Sequence, residues 1–372
     1  MSECCRVLAI NPGSTSTKIG IYRLNNAGEA VAELVRTILH RDEELIAFRG
    51  QSALAQLEFR AAAIDQLLQK EGREGQSFQA VVGRGGLLPP TVCGTYLVDE
   101  SMVEALRQAR RGEHASNLGA VLARQFAQRQ SVPAYIVDPV TVDEWQPIAR
   151  LSGSPFVERY ATGHALNIKA VSRRFAKAQG RSYAELRLVV IHMGSGITVS
   201  AHREGRMIDN NTPEEGPFGP DRSGYLPVRE LVRHCLSGQY NATELDRQVF
   251  GEGGLYAYLG TRDLREVERR IDCGDEKAAL VFEAMAYQAA KEAGAMAVAL
   301  KGVVDAVLLT GGMAHSERLV DRLRSYLEWI APVHLYPGED ELQALAEGAF
   351  RVLRGEEAAR QLAPESSGRA SA

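Results

Sequence analysis

Val7-Leu-Ala-Ile10 runs straight into Asn11-Pro-Gly-Ser-Thr-Ser-Thr-Lys18, an apolar strand closed by a polar glycine turn. Glycine at 13 lets the backbone turn tightly or enter the left-handed region. Successive exposed N–H groups around such a turn form an anion-binding hollow. Asn11, Ser14, Thr15, Ser16 and Thr17 add neutral donors and Lys18 adds a cation. A plain polar β-hairpin is the competing reading, because 17–24 alternates well enough to be a returning strand. No G-x-x-x-x-G-K-[ST] occurs anywhere in the chain, which excludes a Walker A loop. Near the other end a second strand, 306–309, closes on Thr310-Gly-Gly-Met-Ala314. Two phosphate-friendly turns of unlike type point to a nucleotide held between two domains.

Outward from these turns the pattern repeats. Val189-Val-Ile-His-Met-Gly-Ser-Gly196 restates the strand and glycine turn of 7–14, and Ala306-Val-Leu-Leu-Thr-Gly-Gly312 restates Ala80-Val-Val-Gly-Arg-Gly-Gly86. Chance likeness between buried strands ending in glycine competes with duplication of an α/β domain. Strands are expected at 7–10, 18–24, 80–82, 134–137, 188–192, 197–203 and 306–309. Helices are expected near 52–70, 101–110, 114–129, 164–179 and 276–301. Pro337-Gly-Glu-Asp-Glu341 reads as the capped start of a last helix that packs back on the first domain.

At 372 residues the chain exceeds one ordinary core, so two domains are the prior. The expected bounds are 1–148, completed by a helix at 339–355, then 149–338, with 356–372 a disordered tail. A composition of 45% apolar and 24% charged residues is that of a soluble globular protein. A net charge of −4 offers no general attraction to nucleic acid or anionic membrane. Any anionic ligand must therefore be held by local geometry. Five scattered cysteines without metal-ligand spacing, no apolar run of membrane length and no signal-peptide core lead to the expectation of a cytoplasmic protein.

Taken together, Ile10 to Lys18, Val190 to Gly196, 209–224 and Leu308-Leu-Thr-Gly-Gly312 resemble, in order, the motif blocks of the acetate kinase family within the actin-like ATPase superfamily. His164-Ala-Leu-Asn167, Gly219-Pro-Asp-Arg-Ser-Gly224, Gly311-Gly-Met-Ala-His-Ser316 and Pro337 to Leu342 are similar to the butyrate kinase branch of that family. The resemblance implies two duplicated actin-like (ribonuclease H-like) α/β domains with a nucleotide cleft between them. It also implies phosphoryl transfer between ATP and a short-chain carboxylate, giving an acyl phosphate and ADP, with Mg²⁺, in a homodimer or larger homo-oligomer.

Such a carboxylate is ionised at pH 7 and needs no strong base, so charge neutralisation is the main task. Arg222, set among small residues, matches the family's catalytic arginine, with an ion pair to Asp221 or Glu215 as the alternative. Arg84 is the second cation, although acetate kinases carry a histidine there. Asp138 matches an active-site aspartate acting on Mg²⁺, and Glu341, or Asp340 beside it, a metal-associated acid. Asn167 falls on the family's transition-state histidine, so it is expected to line the phosphate site without supplying charge. His164 is expected to be structural, and Asp209 to orient the Arg222 loop. His192, Gly194, Ser195 and Gly196 would form the second phosphate hairpin, and Gly311, Gly312 and Met313 would border the adenosine. Ala314-His315 replaces the family's usual Glu-Asn, which leaves the nucleoside contacts open. Leu87, Leu88 and Pro213 are the expected acyl-chain wall. A sugar kinase lacks support, because no aspartate stands near the second hairpin. A chaperone-type ATPase would need a further domain, and a nucleotide sensor without turnover is the remaining alternative.

Overall fold

The computed structural model describes residues 5–212 and 214–363. They form two compact units, one holding the described residues up to Val142 and from Asp340 on, the other Asp143–Glu339. The second unit starts ahead of the expected 149, because Asp143 pairs with Arg150 and Glu144 with Lys169.

The strands are β1 (Arg6–Pro12), β2 (Ser16–Leu24), β3 (Ala30–Leu39), β4 (Ala80–Arg84), β5 (Thr95–Leu97), β6 (Ala134–Val137), β7 (Leu188–Met193), β8 (Ile197–Arg203), β9 (Arg206–Asn210), β10 (Ala306–Gly311) and β11 (Val333–Pro337). The first sheet runs β3-β2-β1-β4-β6-β5 and the second β11-β10-β7-β8-β9. Read from the hairpin side, the second sheet is β9-β8-β7-β10-β11, the order of the first without its added edge strand. In both sheets the opening strand pairs antiparallel with the next and parallel with a later one, as β1 does with β2 and β4, and β7 with β8 and β10. The duplication suggested by the glycine turns is thus present in the topology. The fold is α/β with two like sheets.

Burial explains why these segments are strands. Every residue of β7 and β10 is buried, as suits central strands covered on both faces. The first core gathers Leu8, Ile10, Ile64, Val81, Leu118 and Ile136. The second gathers Val189, Ile191, Val199, Phe282, Met285 and Leu309.

Helix Asn117–Gln130 lies on β4 at closest range, since a Cβ on Gly119 would meet the Arg84 carbonyl oxygen at 2.3 Å. The last helix, Glu341–Leu353, buries Leu342, Leu345, Ala349 and Phe350 in the first unit. Its Asp340 makes no side-chain capping bond, contrary to the capped start expected. Residues 356–363 are not a loose tail as expected. Arg360 exchanges backbone bonds of 2.8 Å with Thr95 and Leu97, a pairing that composition does not reveal. The remainder of that tail, 364–372, lies outside the described residues. No helix among the described residues is long and apolar enough to cross a membrane.

Candidate active site

In the first unit, β1 and β2 form a hairpin with Asn11 opposite Lys18. Gly13 keeps a negative φ and has room for a Cβ, so the left-handed backbone entertained for it is not used. The turn closes instead through a 2.8 Å bond from the Gly13 N–H to the Ser16 carbonyl. Ser14 and Thr15 are exposed at its tip. Beneath it lies Arg60, fully buried on helix Leu57–Lys70. Its guanidinium donates to the Ser16 carbonyl and Thr17 Oγ1, both at 3.0 Å, and to the Ser14 carbonyl at 3.2 Å. Sequence reading passed over Arg60, because one arginine on a polar helix gives no sign that it points inward.

At the ends of β4 and β6 stand Arg84 and Asp138. Arg84 forms an ion pair with Glu341 Oε1, and Asn11 Nδ2 donates to Glu341 Oε2 at 2.5 Å. Glu341 therefore sits against a cation and an amide. Asp138 is buried and takes a φ of 37°. Its Oδ1 accepts from the Gly94 N–H at 2.7 Å while its own N–H donates to the Gly94 carbonyl at 3.0 Å. A non-glycine residue held in this region is a strained feature of the kind that clusters at active sites.

In the second unit, β7 and β8 are joined by the turn 194–196, where Gly194 N–H donates to the Gly196 carbonyl at 3.0 Å and Ser195 is exposed. His192, just before the turn, is 1% exposed. Asn167 Nδ2 donates to His192 Nδ1 at 2.9 Å and to Thr310 Oγ1 at 3.0 Å. Asn167 is thus buried, with its amide nitrogen engaged by His192 and Thr310. With Nδ1 accepting, the ring proton belongs on Nε2, which faces the glycine turn and lies 3.2 Å from Glu339 Oε1 without forming a hydrogen bond. His164 stacks on His192 with ring centroids 4.0 Å apart and hydrogen-bonds Thr198 Oγ1 through Nδ1 at 2.9 Å.

Arg222 occupies a loop whose backbone is fastened on several sides. Gly219 N–H donates to the Arg222 carbonyl at 3.1 Å, Ser223 N–H to Val249 at 3.1 Å and Gly251 N–H to Asp221 at 2.8 Å. Gly254, at a φ of 58°, approaches so closely that a Cβ would fall 1.8 Å from the Gly219 carbonyl oxygen. Gly219 in turn lies against the hairpin tip, where its Cβ would meet the Ser195 carbonyl oxygen at 2.8 Å. The Arg222 guanidinium lies 4.3 Å over the Phe250 ring, and its Nε is 3.1 Å from Asp221 Oδ1 without hydrogen-bond geometry. A part-exposed arginine on a fixed loop, beside an exposed glycine hairpin, is suited to grip a phosphoryl group.

Asp209 faces Arg159 at 3.6 Å, and Arg159 also pairs with Glu215 at 3.0 Å. Among the described residues its ion-pair partner is thus Arg159. Burial raises the Asp209 pKa against the lowering influence of Arg159. Nearby Glu292, buried on helix Glu276–Ala299 and hydrogen-bonded by the Tyr225 hydroxyl, is pushed up to about 7 by burial, with Asp209 and Glu215 adding to the shift. At the end of β10, Gly311 and Gly338 exchange backbone bonds of 3.1 and 3.0 Å. Gly312 and Met313 line a cavity of about 720 Å³ with Arg262, Leu264 and His315. A second cavity of about 1420 Å³ lies beside Phe218 and Tyr225, away from these glycines.

Of the expected acyl wall, Leu88 is fully buried in the first core, which removes it from any open surface. Leu87 borders a cavity of about 300 Å³ with Ala105 and Pro89. Pro213 lies outside the described residues.

Residues 152–330, just under half of the chain, match the model of the Acetokinase family. The structure is similar to that of Porphyromonas gingivalis acetate kinase, with a TM-score of 0.72 at 20% identity over 93% of this chain and 99% of that one. It is also similar to a propionate kinase from Francisella tularensis, with a TM-score of 0.70 at 18% identity over 92% and 98% of the two chains. For acetate kinase from Entamoeba histolytica the TM-score is 0.71 at 15% identity over 94% and 99%. At these identities the three likenesses establish the fold.

Proposed function

We propose that this chain is an ATP-dependent carboxylate kinase of the acetokinase family, with butyrate as its acceptor. The observation that carries the reading is the family match over 152–330, the segment holding both the His192 hairpin and the fastened Arg222 loop. A carboxylate oxygen forms a bond to the γ-phosphorus while the bond to the β–γ bridging oxygen breaks and ADP leaves with that electron pair. No proton must be removed from the acceptor at neutral pH. The chain's part is therefore positioning and charge stabilisation.

Arg222 is assigned to the transferring phosphoryl group. His192 Nε2, held proton-bearing by Asn167, donates to a phosphoryl oxygen beside the N–H groups of Ser195 and Gly196. Gly311, Gly312 and Met313 border the adenosine in the cavity beside them. In the first unit, Asn11, Gly13, Ser14, Thr15, Ser16 and Lys18 are assigned to phosphate. Arg84 takes part by exchanging Glu341 for a ligand carboxylate or phosphoryl group. Asp138 is the carboxylate assigned to Mg²⁺, which uses few protein ligands and carries water and phosphate oxygens besides. When bound, that ion supplies charge neutralisation on the phosphates.

A branched-chain or other short carboxylate, isobutyrate, propionate or acetate, is the second reading, the last two favoured by the names of the similar solved structures. A homo-oligomer in the cytoplasm completes the proposal. Helix Val228–Cys235 buries none of its residues and exposes Val228 and Val232, which a second copy would cover.

The test is acyl phosphate formation, trapped with hydroxylamine, from Mg·ATP and acids from acetate to hexanoate plus isobutyrate. A kcat/KM maximum at butyrate, falling about 10²–10³-fold in Arg222→Ala, is expected. A maximum at isobutyrate, propionate or acetate selects the second reading. No product from any acid, with ATP still bound, rejects the kinase.

A further inference from the structure

The carbonyl oxygens of Ser14, Thr15 and Ser16 in the first-unit turn are all engaged. Ser14 and Ser16 accept from Arg60, and Thr15 accepts from the His40 N–H at 2.9 Å. Ser16 also accepts from Gly13. The N–H groups of Ser14 and Thr15, by contrast, meet no acceptor among the described residues and stand at the exposed tip. Carbonyls drawn inward with amides left outward give a concavity of positive potential.

The cation that produces this arrangement is itself unusual. Arg60 is 0% exposed, yet its partners are Gln56 Oε1, the Ser14 and Ser16 carbonyls and Thr17 Oγ1, with no carboxylate among them. Burial alone brings its pKa down to about 10, and no acid offsets that. A buried charge without a counter-charge is costly. Thr17 Oγ1 is shared with His40 Nε2 at 2.8 Å, and His40 is itself held below its ordinary pKa by burial and by Arg60. The one acid acting on His40 is Glu44, which pairs with Arg41 and does not offset the charge of Arg60. The turn directly above is where a negative charge can approach it.

We propose that Arg60 is the positioning residue of the 13–16 turn and the buried counter-charge of the phosphate group that the turn binds. The proposal rests on the reading of that turn as phosphate-binding, and it adds a residue that touches no ligand. Arg60 fixes the carbonyls inward, so Ser14 and Thr15 present their N–H groups without reorganisation. Its charge acts through one layer of backbone in a poorly screened setting. Arginine suits the task better than lysine, since its planar fork reaches three oxygens at once.

The experiment compares binding of adenosine, Mg·ADP and pyrophosphate to the full chain, to Arg60→Gln and to Arg60→Lys. Pyrophosphate and Mg·ADP should weaken about tenfold in Arg60→Gln, and less than about threefold in Arg60→Lys, while adenosine is unchanged. Equal weakening of adenosine would reveal general damage and overturn the proposal, as would pyrophosphate affinity within twofold of the unaltered chain. Should Arg60→Gln fail to fold, the unaltered chain decides: pyrophosphate must shift the Arg60 Nε–Hε resonance, and no shift rejects the idea. If the chain forms no acyl phosphate but shows the pyrophosphate pattern, the kinase reading falls and the Arg60 assignment stands. If it turns over butyrate and Arg60→Gln binds pyrophosphate normally, the Arg60 assignment falls alone. A chain that binds neither pyrophosphate nor Mg·ADP rejects both.

Discussion

Asn167 shows how one side chain sets the state of another. Its amide nitrogen faces His192 Nδ1, so the histidine proton is placed on Nε2. Asn167→Asp would put an acceptor at that nitrogen and draw the proton to Nδ1, leaving Nε2 to repel phosphoryl oxygens. A loss of about 10²-fold in kcat with a changed pH–rate profile is expected. Asn167→Leu should cost about 1–3 kcal/mol in urea unfolding, through the buried groups left unpaired. Glu341 offers a second test. If it is the counter-ion of Arg84, Glu341→Gln will alter KM for the carboxylate and leave the Mg²⁺ dependence in place; a metal-associated acid would do the reverse. The sequence singled out Asn167, Arg84 and Glu341, but it could not show their partners. Arg84 and Glu341 are far apart along the chain and meet only because the last helix returns to the first sheet. Arg60 was illegible for the same reason: its direction is decided by the fold and not by its neighbours.

At the scale of elements, legibility followed burial. The segments 7–10, 188–192 and 306–309 read as strands because both faces are covered and the apolar run is unbroken. β3 escaped notice, since Ala30–Leu39 buries only Leu34 and alternates poorly at the sheet edge. Helices Val228–Cys235 and Ala242–Val249, which bury nothing, escaped it too. Helix Glu276–Ala299 was plain from its apolar face, yet the same face conceals Glu292. Its folded pKa of about 7 lies above the ordinary 4.5. The unfolded chain therefore loses this proton first, and stability falls as pH rises from about 4.5 to 7, remaining lower above that. Up to about 3 kcal/mol is involved, less what Tyr225 returns by donating to the carboxylate. Glu292→Gln should accordingly stabilise the chain at pH 8 and have little effect at pH 4.5, as measured by urea denaturation at both values.

For the whole molecule, the deciding feature is that the first unit is built from both ends of the chain. Phe350, 1% exposed on the last helix, is buried within that unit. Phe350→Ala should cost about 3–5 kcal/mol. Calorimetry should find the loss in the transition of the first unit and leave that of the second unchanged. The sequence suggested this return through the Pro337 to Leu342 motif, though not the Arg360 pairing that follows it. Synthesis on the ribosome gives the arrangement a further meaning. The N-terminal sheet emerges first but cannot be completed until roughly 200 more residues have been added, about 10–40 s at usual elongation rates. The middle of the chain therefore matures before its beginning, and during that interval the open face of the N-terminal sheet is a substrate for whatever holds nascent chains apart.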